Sequence, residues 1–154
     1  MLRAKLFDPL PALGEIVYCR FPESAGIPAS KPRPALVVGR VEFDDGTIGV
    51  SVAYGTSKRV DELKSGEFAI TPQEPAAYKL SGLSFATKFD LRRVESLPYT
   101  DEWFRVPPSL PHGQHPKLGT LHPSLMARAR AAFNAVNPHI TLPAGLQTIA
   151  ALLE

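Results

Sequence analysis

With 154 residues, 44% of them apolar, the chain is long enough to bury a core and too apolar to be disordered. At this size folding buries roughly 68–70% of the surface an unfolded chain exposes, so one domain needs no disulfide or metal staple. A formal net charge of +2 names no partner, and with no apolar leader and no stretch near 18 apolar residues the expectation is neither secretion nor membrane spanning.

Residues 1–13 form a short lead-in with two prolines, extended or loosely held. Residues 15–21 (EIVYCRF) are rich in branched and aromatic side chains and predict a strand. Cys19 lies in that run and is the single cysteine, which excludes an intrachain disulfide and fits a reducing cytoplasm. The proline-rich stretch 22–34 is loop-like, and 35–43 (ALVVGRVEF) predicts a second strand. Asp44-Asp45-Gly46 is a tight-turn signal, and 47–54 (TIGVSVAY) alternates and returns as a third strand.

Gly55-Thr56-Ser57-Lys58 ends that strand. Residues 68–71 form a short strand before prolines at 72 and 75 break the pattern, and 83–89 and 91–97 give two more strand segments. Residues 99–119 make an irregular, proline-rich connection holding Trp103-Phe104, an apolar pair suited to plugging a core or a dimer contact. Residues 123–136 carry Leu125, Ala129, Ala132 and Val136 at helical spacing, with Pro123 in the first turn and Asn137-Pro138 as the stop. The tail 141–154 adds a short helical or extended piece.

Sixteen prolines argue for turns and sheet edges rather than a helical bundle. Many short strands with one terminal helix indicate a mainly β protein, a small antiparallel β-barrel closed off by a C-terminal helix. The chain reads as one domain over 1–154: barrel about 14–98, connection 99–119, helix about 123–136 and tail 137–154. From Trp103 to Leu153 there is no acidic residue, while Arg105, Lys117, Arg128, Arg130 and all four histidines lie there, a mildly basic third suited to an anion such as RNA phosphate.

Four segments, in order, carry a resemblance to a known family: GEIVYCRFP at 14–22, KPRPALVV at 31–38, VAYGTSK at 52–58 and GTLHPSLMARARAAF at 119–133. Together they resemble the MazF/PemK toxins of type II toxin–antitoxin systems. The resemblance implies an SH3-like barrel that forms a homodimer, lies in the cytoplasm and cleaves single-stranded RNA, mRNA included, without metal or cofactor. It also implies neutralisation by a cognate antitoxin protein. The matching catalytic positions are Arg33, Thr56 and Ser57. That chemistry uses the ribose 2′-hydroxyl as nucleophile, so negative charge grows on the phosphorane. A forked guanidinium stabilises such charge better than a point charge, and short hydroxyls donate to phosphate oxygens at close range.

Lys31, Lys58 and Arg59 flank these positions and are candidates for RNA contact. Family members often carry a further acid–base or RNA-contacting group on the strand before the helix; here the candidates are Thr87, Lys88 and Asp90. Strand alternation puts Lys88 and Asp90 on one face and Thr87 on the other. Lys88 as a solvated strand lysine and Asp90 as a turn acid are equally open, and the general base is unassigned. A non-catalytic SH3-like module binding protein or RNA is the alternative reading. His112, His115 and His122 offer a rival zinc site, on a segment with irregular spacing and poor preorganisation.

Overall fold

The computed structural model describes residues 4–136. The expectations for the tail after 136 lie outside the described residues. Six strands form one antiparallel sheet: β1 (Glu15–Cys19), β2 (Arg33–Glu42), β3 (Ile48–Thr56), β4 (Glu67–Ile70), β5 (Thr87–Pro98) and β6 (Lys117–Thr120). A helix, α1 (Pro75–Ser81), falls between β4 and β5, and a single 3₁₀ turn (Pro123–Leu125) leads into α2 (Met126–Val136).

The β2–β3 hairpin forms where the sequence places it. Gly46 has a φ of 84°, and the Asp45 carboxylate accepts from the Thr47 N–H at 2.9 Å, closing the turn. Both strands run further than their predicted ends. β2 begins at Arg33, paired with Cys19 of β1, and β3 continues to Thr56. Arg33 is therefore a strand residue rather than a loop charge. β5 is one strand where two segments were expected. Its pairing with β3 jumps from Ala53–Val94 to Tyr54–Asp90, so residues 91–93 bulge out just after the predicted break at Asp90, and residues 83–86, expected in the first segment, lie before the strand.

Alternation along the strands builds two cores. On one face Ile16, Leu36, Val38, Ala53 and Phe89 pack with Ala77 of α1 and with Ala129, Ala132 and Phe133 of α2. On the other Val17, Cys19, Ala35, Val37, Val50 and Val52 pack with Phe7, Tyr99, Trp103 and Phe104. Trp103 and Phe104 are thus core residues. Burial pushes the Cys19 thiol far up, which makes it inert as a nucleophile. The lead-in is not loose: the Phe7 N–H donates to the Tyr99 carbonyl at 3.0 Å, and the Phe7 and Tyr99 rings meet at 5.7 Å.

The closed barrel expected from the sequence does not form. The strand order is β4-β5-β3-β2-β1-β6, and the edge strands β4 and β6 do not pair with each other. Instead α1, absent from the sequence reading, packs against both of them. Pro75 starts this helix in its first turn, and Gly82 ends it in the left-handed conformation with φ 68°. Two glycines let its end touch β6: a Cβ on Gly82 would collide with the Leu118 carbonyl, and one on Gly119 with the backbone of Leu80 and Ser81. The two guanidinium nitrogens of Arg128 on α2 then grip the Glu74 carboxylate before α1, at 2.6 and 3.0 Å.

This close approach makes a prediction. Gly119→Ala should destabilise the fold by about 1–3 kcal/mol, as overpacking does. A urea melt reads the loss directly, and an unchanged midpoint would contradict a helix seated on β6.

Candidate functional site

The ends of several strands converge on one side of the sheet. The last turn of β1 supplies Tyr18, the segment before β2 supplies Lys31 and Pro32, and β2 opens with Arg33 and Pro34. The end of β3 brings Gly55 and Thr56, followed by Ser57. The α1–β5 loop brings Gly82–Phe85, β5 begins with Thr87, and β6 adds Leu118. These residues line a cleft of about 220 Å³. Gly55 is required for it: a Cβ there would strike the Pro34 carbonyl, so only glycine lets the end of β3 lie against the start of β2.

Arg33 is the side chain with most left to offer. Its Nε is buried with no hydrogen-bond partner among the described residues. Its only ion pair among them is a loose one, 3.9 Å from Glu23, whose side chain is 65% exposed. A buried, unsatisfied guanidinium N–H is costly, and because the side chain as a whole is 27% exposed, it is the outer guanidinium nitrogens that an anion at the cleft can reach. The Thr56 Oγ1 accepts from the Lys58 N–H at 3.2 Å, which leaves its own proton to donate. The Thr87 hydroxyl is committed differently: it donates to the Phe85 carbonyl at 2.8 Å and so fixes the adjoining loop.

The predicted site residues divide into three groups. Lys31, Arg33, Thr56, Ser57 and Thr87 line one cleft. Lys58 and Arg59 follow Ser57 directly and are exposed, with Arg59 at φ 52° where the chain turns. Lys88 and Asp90 do not line the cleft. They share the opposite strand face, as alternation predicts, and enter a buried ion network. The Lys88 Nζ lies 3.1 Å from the Glu67 carboxylate and 3.0 Å from the Glu62 carbonyl. Asp90 is held by Arg92 through two side-chain hydrogen bonds, of 2.9 and 3.0 Å, and a third from the Arg92 backbone. Burial alone would raise the Asp90 carboxyl, but the hydrogen bonds and charge of Arg92, with help from Arg93, hold it below the usual aspartate range.

The histidines do not assemble. His112 and His115 line a separate cavity with Glu15 and Lys117, while His122 caps the 3₁₀ turn, its Nδ1 accepting from the Ser124 N–H at 3.0 Å. Among the described residues no group of three or more potential ligands stands ready for a metal. The sequence reading missed Tyr18, Phe85 and Leu118 as cleft walls. It read Phe85 as part of a strand over 83–89, whereas the strand begins at Thr87 and Phe85 lies in the loop before it.

An antiparallel sheet that presents a guanidinium and two hydroxyls at its strand ends, backed by lysine and, among the described residues, free of acids in its lining, defines a small β protein with a cationic cleft. The chain belongs, more particularly, to the PemK-like, MazF-like toxins of type II toxin–antitoxin systems, whose family model matches residues 12–136. Its fold is similar to that of an endoribonuclease solved in complex with its cognate antitoxin from a mycobacterial species. The two share 18% identity at a TM-score of 0.51, over 86% of this chain and 99% of that one. No curated protein matches the chain by sequence. No helix among the described residues is long and apolar enough to cross a membrane.

Proposed function

We propose that this toxin is an endoribonuclease that cuts single-stranded RNA, mRNA included, by metal-independent transesterification. The observation that carries this reading is Arg33, whose buried Nε has no partner in a cleft that it shares with Thr56 and Ser57. Arg33 takes the scissile phosphate and stabilises the phosphorane as charge builds. Thr56 and Ser57 donate to its oxygens. Lys31, Lys58 and Arg59 attract the flanking phosphates. The 2′-oxygen bonds to phosphorus, the bond from phosphorus to the 5′-oxygen breaks, and the hydroxyl's proton ends on that leaving oxygen. The nucleophile is internal to the substrate, so the reaction itself calls for no metal-bound water.

Among the described residues no carboxylate or imidazole lines the cleft. Glu23 stands 3.9 Å from the Arg33 guanidinium, which makes it the first group to test as proton acceptor. The same lining favours a second reading, a non-catalytic module that binds RNA or protein through the cleft. Family membership and the antitoxin complex of the structural neighbour support a cognate antitoxin as the partner that neutralises this toxin, with the cytoplasm as the proposed compartment. An acidic antitoxin segment would meet Lys31, Arg33, Lys58 and Arg59. A symmetric homodimer belongs to the same proposal.

Incubating the purified protein with mixed single-stranded RNA in EDTA separates these readings. Cleavage should continue and leave 2′,3′-cyclic phosphate and free 5′-hydroxyl ends. RNA cut without EDTA but intact with it overturns the metal-free mechanism, and RNA intact in both favours the binding module.

A further inference from the structure

Phe85 is the most exposed large apolar side chain of the described residues, at 72%, and it lines the cleft that holds Arg33, Thr56 and Ser57. Its exposure does not come from a loose loop. Gly82 turns the chain in the left-handed conformation, the Leu83 N–H donates to the Ser81 hydroxyl at 3.3 Å, and Leu83 itself is buried in the core. On the far side the Thr87 hydroxyl holds the Phe85 carbonyl at 2.8 Å. The backbone on both sides of Phe85 is therefore fixed, and it presents an uncovered aromatic ring at the wall of an anion-binding cleft.

We propose that Phe85 is a stacking platform for a base next to the scissile phosphate of single-stranded RNA. The proposal rests on the ribonuclease reading of the cleft and extends it. A phosphate held by Arg33 brings attached bases with it, and an unpaired strand exposes their faces to stack. The other aromatic lining the cleft, Tyr18, is half-buried, so Phe85 is the exposed ring available there among the described residues. Lys31 and Arg33 give the same cleft a positive charge, and no lining residue among those described opposes it, which matches a polyanion rather than an apolar protein surface. Every base has a π-face, so this contact adds affinity at any sequence.

The test uses the full chain and a short oligoribonucleotide spanning a mapped cut, with a 2′-deoxy sugar at the cleaved position so that only binding is read. Two forms of the probe are compared, one intact and one with an abasic site beside the scissile phosphate. Phe85→Ala should weaken binding of the intact probe about 5–100-fold, the range of base–aromatic stacking. It should have much less effect on the abasic probe, and Phe85→Trp should retain binding. An equal loss on both probes, or no loss on either, overturns the stacking role. So does a change in sedimentation with no difference between the probes, which would make Phe85 a contact between protein chains. The ribonuclease reading has its own readout: if the wild type yields no cut to map, that reading has failed before binding is measured, and Arg33→Ala is the control that the probe occupies the cleft. If Arg33→Ala loses binding and Phe85→Ala does not, only the stacking proposal falls.

Discussion

Arg33→Lys is expected to lower single-turnover RNA cleavage about 10²–10³-fold, the usual consequence of losing a donor to the transition state. Lysine keeps the charge but not the two-pronged, planar donor, so Arg33→Ala should be no more than modestly worse than Arg33→Lys. The fold should tolerate either change. The Arg33 side chain is 27% exposed, and its only ion pair among the described residues is the distant one to Glu23. Removing a guanidinium whose Nε has no partner also removes a desolvation penalty. Thermal melts of both variants should therefore overlay the wild type. Thr56→Val, which keeps the branched shape of a strand residue, should lower cleavage to a smaller extent. A lysine variant that cuts at the wild-type rate would remove Arg33 from the chemistry.

How much of this was legible in the sequence depends on the range of the forces involved. The β2–β3 hairpin is local: Asp45 and Gly46 set the turn, and alternating apolar residues set the register. The grouping of Arg33 with Thr56 and Ser57 came from the family resemblance; in the structure it follows because antiparallel neighbours bring the start of β2 beside the end of β3. Open sheet geometry was not. It depends on α1, whose seven residues are too few to show a helical period. It depends equally on β6, whose four residues become a strand only by pairing with β1. Gly82 and Gly119 are separated in sequence, and nothing local in either says that they meet. The bulge at 91–93 is likewise invisible until β3 is laid beside it, which is why one strand looked like two.

The second large effect concerns Lys88, and it is an effect on stability. Lys88→Met should destabilise the protein by about 3–5 kcal/mol, because it leaves the Glu67 carboxylate buried without its close cation. The side chains of Lys88 and Glu67 are only 7% and 6% exposed, and Arg92 stands 3.8 Å from the other Glu67 oxygen, too far to replace Lys88. Glu67→Gln combined with Lys88→Met should recover much of the loss, since the uncompensated charge is then gone. Asp90 adds a pH dependence to the same network. Its carboxyl titrates lower when folded than when unfolded, so its contribution is present at neutral pH and fades as pH falls through the acid range to the folded value. Asp90→Asn should accordingly flatten the acid limb of the stability profile. Neither substitution touches the cleft lining, so the cleavage rate per folded molecule should be that of the wild type, measured below each variant's melting temperature. A rate that drops in a fully folded Lys88 variant would place this lysine on the RNA after all, and would mean that the strand face turned toward Glu67 in the free protein is not the face presented to substrate.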